Sequence, residues 1–202
     1  MNKYKDKIFS LEDGDKLFRV LGYDKIILEV GSGNGIFLEY LGKTFADSVV
    51  IGVELDIKRA KKCKKKIQRN NLVNTLILSG DITEILPLFF RDSCVDRVYM
   101  NFPEPWPKES NWRNRLFEIG FLSMVDRITK VGGKFYLATD VEYIFNTVDE
   151  IFTKVFGNWE YRSDLSIEYS ESFIPTLYFE KWREEGRNFW WGVWEKVGLI
   201  EF

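Results

Sequence analysis

The chain has 202 residues, 45% of them apolar, 16% aromatic and 30% charged, with a formal net charge of −2. This excludes a disordered or collagen-like chain and allows a single domain over 1–202 with a substantial core. The absence of histidine removes a histidine general base, a Ser-His-Asp triad and a histidine-ligated metal, and Cys63 and Cys94 have neither metal nor CxxC spacing, so no metal is expected and both thiols are expected to be reduced and buried.

From the N-terminus, Met1 to Lys7 carries no apolar secretory core, and no apolar run anywhere approaches the ~20 residues of a membrane span. A cytoplasmic address without a membrane partner is therefore expected. A first buried strand is read at 25–30. It runs into Gly31-Ser32-Gly33-Asn34-Gly35, after which Ile36-Phe37-Leu38 starts a helical pattern over 35–43. Strand, glycine turn and helix make a nucleotide-type site, because glycines let a ligand approach the backbone and a helix N-terminus supplies donors. The spacing departs from the dinucleotide fingerprint, and Glu29 precedes the loop. A carboxylate there repels a pyrophosphate and attracts the cationic amino-acid end of S-adenosyl-L-methionine (AdoMet).

A second strand at 49–54 ends in Glu54, near the ~20-residue spacing of an acid that grips ribose hydroxyls. A third, at 75–79, is followed by Gly80-Asp81-Ile82, where the acid can accept from an adenine amino group with Ile82 beside the ring. The cofactor set is thus Glu29, Gly31, Gly33, Gly35, Glu54, Asp81 and Ile82, joined by Asn101 at the end of a fourth strand over 95–100. Between the second and third strands, a helix over 57–70 carries Lys58, Arg59, Lys61, Lys62, Lys64, Lys65, Lys66 and Arg69, with Ala60, Cys63 and Ile67 as its apolar stripe. Those charges are either a solvated face or a phosphate-attracting one. A further helix is read at 82–90.

After the fourth strand comes Asn101-Phe102-Pro103-Glu104-Pro105-Trp106-Pro107-Lys108, with three of the chain's five prolines within five positions. The backbone leaves the strand stiffly there, carrying an acid and an aromatic to the edge where open α/β sheets place their chemistry. Lys108, Arg113 and Arg115 interleave with Trp106 and Trp112, a composition suited to an unstacked base near phosphates. Trp106 is either a stacking platform or a packing residue. A helix over 111–130 closes at Gly132-Gly133, a fifth strand covers 134–139, and a helix covers 142–156. Asp140 either touches substrate or caps that last helix. The tail from Trp159 is expected to add antiparallel edge strands, with 164–185 read as a functional loop containing some helix. The alternation predicts an α/β, Rossmann-like, doubly wound and mostly parallel sheet.

Glu29 to Gly35, Gly52-Val53-Glu54, Asn101 to Lys108, Thr139-Asp140, and Thr176 through Lys181 resemble, in order, the tRNA (guanine-N7)-methyltransferase family. The resemblance runs from about Lys25 to Trp194, and its specific part is the proline–tryptophan loop. It implies AdoMet as cofactor and tRNA as partner, with methylation of a variable-loop guanine by a monomer or homodimer. It also implies that Glu29, Glu54 and Asp81 hold AdoMet, that Glu104 stands where the family has a catalytic aspartate, and that Lys108 and Asp140 bind substrate. Thr176 and Tyr178 match a guanine-binding motif.

The chain departs from the family at three places. A dense basic run with a histidine is replaced by Glu109 to Arg115, Glu104 is one methylene longer than aspartate, and Phe179 stands where a glutamate is usual. Glu180 follows one position later, within reach of the motif if the backbone bulges. The missing histidine suits the chemistry, since guanine N7 has a lone pair and no proton to remove. Three other readings stay open: a nicotinamide-dependent oxidoreductase, a tRNA-binding protein with weak or no turnover, and a methyltransferase acting on another nucleobase or an amide nitrogen.

Overall fold

The computed structural model describes residues 24–103 and 119–199. Glu104, Lys108, Trp106, Trp112, Arg113 and Arg115 lie outside them. The chain divides into two compact units at Arg91 and Asp92.

In the first unit, β1 (Ile26–Val30), β2 (Val49–Glu54) and β3 (Thr75–Ser79) form a parallel ladder ordered β3-β2-β1, with Glu29 opposite Gly52 and Val53 opposite Leu78. Every residue of β1 and β2 is buried, as expected of parallel strands covered on both faces, which show runs of apolar residues instead of alternation. The crossovers are α1 (Ile36–Thr44) and α2 (Ile57–Arg69), and α3 (Ile82–Phe89) follows β3. α1 buries Phe37, Leu38 and Leu41. α2 buries only Ala60 and Cys63, while Ile67 is half-buried and the lysines face outward. Asp56 and Asp81 cap α2 and α3 by accepting backbone N–H groups of the first turn.

The second unit contains β4 (Val95–Asn101), β5 (Thr129–Thr139), β6 (Trp159–Tyr161) and β7 (Trp190–Lys196), in the order β4-β5-β7-β6. β5 is parallel to β4, whereas β7 is antiparallel to both β5 and β6. Pairing is parallel throughout the first unit and between β4 and β5, and antiparallel among the C-terminal strands, as anticipated from the sequence. The helices are α4 (Ile119–Ile128), α5 (Glu142–Glu150), α6 (Ser163–Ser172) and α7 (Leu177–Glu184).

Three local expectations shift. The fifth strand starts at Thr129, directly after α4, and Gly132-Gly133 falls inside it. Val95 pairs with Thr129 but Arg97 with Lys134, so β5 bulges over the glycines instead of beginning there. The helix expected to end at 156 changes to a π turn over Ile151–Phe156, where Thr153 donates its hydroxyl to the Asp149 carbonyl and Gly157 terminates it in the left-handed region. The stretch read as a loop over 164–185 is largely α6 and α7. α6 docks on β7 through the Ser166 hydroxyl, which accepts from Val193 N–H at 2.9 Å. This unit's core is aromatic: Phe135, Phe152, Trp159 and Trp194 are buried, with Phe152 and Trp159 stacked at 4.4 Å.

Candidate functional site

In the first unit the expected cofactor residues converge at the carboxyl ends of β1 and β2. Gly31, Gly33 and Gly35 all adopt positive φ, at 75°, 55° and 75°. A Cβ at Gly35 would also lie 2.9 Å from Cys63 Sγ and 3.2 Å from Cys63 Cα, so the loop's approach to α2 requires glycine there as well. Gly31 and Ser32 donate their N–H groups to the Val53 carbonyl at 2.9 and 3.0 Å. Cys63 Sγ donates to the Gly33 carbonyl at 3.3 Å. Burial, then the carboxylates of Glu29 and Glu54, push that thiol up to about 12, so it is a packing group and not a nucleophile.

Glu54 is 5% exposed. Its Oε2 accepts from Gly33 N–H at 2.7 Å and its Oε1 from Asp56 N–H at 2.9 Å, so the acid assigned to a ribose also ties down the glycine loop. Glu29 is 3% exposed, and burial raises its carboxyl to about 8, with the Glu54 charge adding to the rise. Glu29 Oε2 and Ser32 Oγ are both buried without a hydrogen-bond partner. Two unsatisfied polar atoms beside a left-handed glycine turn fit a ligand bearing a positive charge and hydrogen-bonding groups, as AdoMet does. Asp81 accepts from Thr83 N–H at 2.8 Å and Thr83 Oγ1 at 2.7 Å, both at Oδ1. Ile82 is buried beside it, at 6% exposure.

In the second unit, Asn101 ends β4. Its Oδ1 accepts from the Tyr169 hydroxyl, which orients the amide, and its Nδ2 is buried without a partner. Phe102 follows with φ 49°, a left-handed conformation unusual for an aromatic residue and held just before Pro103. Packing fixes it there: its ring meets Phe173, Phe179, Phe189 and Trp191 at centroid distances of 5.7 to 6.3 Å. Its N–H donates to the Ala138 carbonyl at 2.7 Å. Sequence reasoning missed this cluster, although its members are all aromatic.

Asp140, at the end of β5, does not cap α5, whose first turn has no side-chain cap. Its carboxylate instead accepts from Arg187 at 2.5 Å, with the Asp140 side chain 3% exposed. Thr176 caps α7 by accepting from Phe179 N–H at 3.3 Å. Tyr178 is 38% exposed, and Glu180 pairs with Arg183 at 3.0 Å. α7 is regular from Leu177 to Glu184, so no bulge moves Glu180 into the place of Phe179, whose ring lies in the aromatic cluster.

Residues 23–191 match the sequence model of a family described as "Putative methyltransferase". The tRNA (guanine-N(7)-)-methyltransferase of Clostridioides difficile is 33% identical over 159 residues, 74% of each chain. The protein of that name from Thermotoga maritima is 31% identical over 86% of this chain, which spans only 54% of that relative's length. A solved antibiotic-related methyltransferase superposes with a TM-score of 0.64 at 19% identity, covering 96% of this chain and 98% of its own. An aminoglycoside resistance methyltransferase gives 0.59 at 19% identity over 94% of both. At such identities the structures show the fold alone, whereas the family match carries chemistry. With the glycine loop and its buried acids in place, the chain belongs to the tRNA (guanine-N7)-methyltransferase family of AdoMet-dependent enzymes.

Proposed function

We propose that this chain, as a single methyltransferase domain over 1–202, transfers the methyl group of AdoMet to N7 of a variable-loop guanine in tRNA. The observation that carries the reading is the pairing of a left-handed glycine loop with two buried acids, Glu29 and Glu54, in a chain of this family. Its proposed setting is the cytoplasm. Among the described residues no helix is long and apolar enough to cross a membrane.

AdoMet, when bound, would supply an electrophilic sulfonium methyl group to the N7 lone pair, with the C–S bonding electrons left on the departing thioether sulfur. The acceptor nitrogen has no proton to lose, so the residues' work is alignment and charge placement. Glu54 would hold the ribose while fixing the loop, and Glu29 with Ser32 would receive the amino-acid end. Asp81 and Ile82 would border the adenine. Asn101 would offer Nδ2 to the methionine portion, oriented by Tyr169. Glu104, outside the described residues, would face the charge that passes to the purine, and Lys108 a phosphate. Asp140, Thr176 and Tyr178 would border the base.

A tRNA transcript carrying 7-deazaguanine at the variable-loop position tests the reading. It keeps the Watson–Crick edge but has carbon in place of N7, so methyl transfer should stop. Continued labelling of that nucleotide would refute N7 as the acceptor.

A further inference from the structure

Arg187, in the turn after α7, is held from three sides. Its guanidinium carbon lies 3.6 Å from the centroid of the Trp182 ring. One terminal nitrogen donates to Asp140 Oδ2 at 2.5 Å, while Nε and the other terminal nitrogen donate to Glu185 Oε2 at 3.1 and 2.9 Å. The Asp140 side chain is almost fully enclosed, at 3% exposure, whereas that of Arg187 is 40% exposed. Lys181 Nζ also lies 4.4 Å from the Trp182 centroid, and the Tyr178 ring is 6.2 Å away at an interplanar angle of 32°.

A flat, delocalised group thus stacks on an indole, aims one N–H donor at an enclosed carboxylate and turns its paired donors to a second, exposed carboxylate. Guanine can take the same place with a fuller match to Asp140. Its N1–H and N2–H2 edge is a cyclic guanidine with parallel donors matched to one carboxylate, and its ring offers a π face. We propose that Trp182 and Asp140 form the seat of the acceptor guanine, and that Arg187 occupies this seat until RNA displaces it. The proposal rests on the guanine reading above and adds two residues, Trp182 and Arg187, that the sequence does not single out.

The seat has the polarity that N7 transfer requires. A carboxylate on N1–H and N2–H2 leaves the opposite edge, which bears N7, free of hydrogen bonds. Adenine is rejected because its N1 is an acceptor and would face a carboxylate. In the free protein Arg187 compensates a charge that would otherwise be enclosed and unpaired, a costly state. After transfer the methylated base is cationic and stacks more strongly on Trp182. The returning guanidinium competes for the same ring and the same carboxylate, giving the fold its own means of expelling product.

The test is titration with 7-methylguanosine, guanosine and adenosine in mildly acidic buffer, read by tryptophan fluorescence quenching. It compares wild type with Arg187→Ala, Arg187→Lys and Trp182→Leu, after melts establish that each is folded. Arg187→Ala should bind 7-methylguanosine roughly tenfold tighter than wild type, and Trp182→Leu at least tenfold weaker. Arg187→Lys, which keeps the charge but loses the planar fork, should fall between wild type and Arg187→Ala. Adenosine should bind to none of them. Folded Arg187→Ala binding no tighter than wild type, or Trp182→Leu binding as wild type, overturns the seat. If Arg187→Ala does not fold, Arg187→Lys decides, with equal affinity overturning the seat and tighter binding supporting it. Wild-type labelling of tRNA at guanine N7 is measured in parallel. With labelling present, a failed titration removes the seat and leaves the function; labelling at another atom removes both.

Discussion

Gly33 donates its backbone N–H to Glu54 Oε2 across 21 residues of sequence, so one buried carboxylate shapes the loop that the cofactor must meet. Glu54→Ala removes the proposed ribose acceptor and also leaves the Gly33 and Asp56 N–H groups without that partner. AdoMet affinity should fall by about 1.5–3 kcal/mol, the range for hydrogen bonds to a charged group. Glu54→Gln keeps an acceptor oxygen and should lose less. Calorimetry checks both, and unchanged affinity in the alanine variant would remove Glu54 from the cofactor set.

If Glu29 receives AdoMet as proposed, binding should be pH-dependent. The Glu29 carboxyl is raised from 4.5 to about 8, so at neutral pH it is protonated in the free protein and should ionise against the cationic cofactor. Binding should release one proton between roughly pH 5 and 8, and affinity should rise with pH over that window, flattening above 8. Folding stability without ligand moves the opposite way. The folded state holds a proton that the unfolded chain has lost above 4.5, so this group's contribution is full below 4.5 and declines as pH rises toward 8. Glu29→Gln should abolish both slopes. Calorimetry in buffers of different ionisation enthalpy counts the proton, and a wild-type count of zero would contradict this account.

The first unit is readable from sequence because its strands, turns and helix starts are marked locally, although contacts such as Gly33 with Glu54 are not. β1 and β2 are apolar apart from Glu29, Gly52 and Glu54, and Gly31, Gly33 and Gly35 mark a turn that L side chains rarely make. Asp81 reads from sequence as a cofactor acid, while its capping of α3 follows from the Thr83 two positions on. The second unit hides more, because its contacts join distant positions. Arg187 reaches Asp140 across 47 residues, and Tyr169 reaches Asn101 across 68. α6 shows no clear period because its buried residues, Ser166 and Tyr169, are polar or amphipathic. The departure at Phe179 reads from sequence as a missing acid, whereas the structure makes it part of the aromatic packing that holds Phe102.

Phe179→Glu, which restores the family's usual residue, should therefore destabilise the protein. The substitution removes ring contacts with Phe102, Phe173, Phe189 and Trp191 and places a carboxylate among them. Loss of a largely packed phenylalanine costs about 3 kcal/mol, and desolvating the new charge adds to it. Thermal melts should show the loss. A variant as stable as wild type with faster turnover would mean that the aromatic packing is dispensable.

α2 presents Lys61, Lys62 and Lys65 to solvent, whereas Lys66 pairs with Glu39 at 3.6 Å. If this face carries tRNA phosphates, converting the three exposed lysines to alanine should flatten the dependence of log affinity on log salt. The change should be about 0.7–0.9 for each phosphate that is no longer neutralised. AdoMet affinity and stability should hardly move. An unchanged salt slope would make the basic face a solvated surface.

The central claim is methyl transfer to guanine N7 in tRNA, and one measurement addresses it directly. Unmodified tRNA is incubated with the wild-type protein and methyl-labelled AdoMet, then digested to nucleosides and resolved by mass spectrometry. The account predicts label in 7-methylguanosine, mapping to the variable loop. Label in any other nucleoside, or none from folded protein that binds AdoMet, would contradict it.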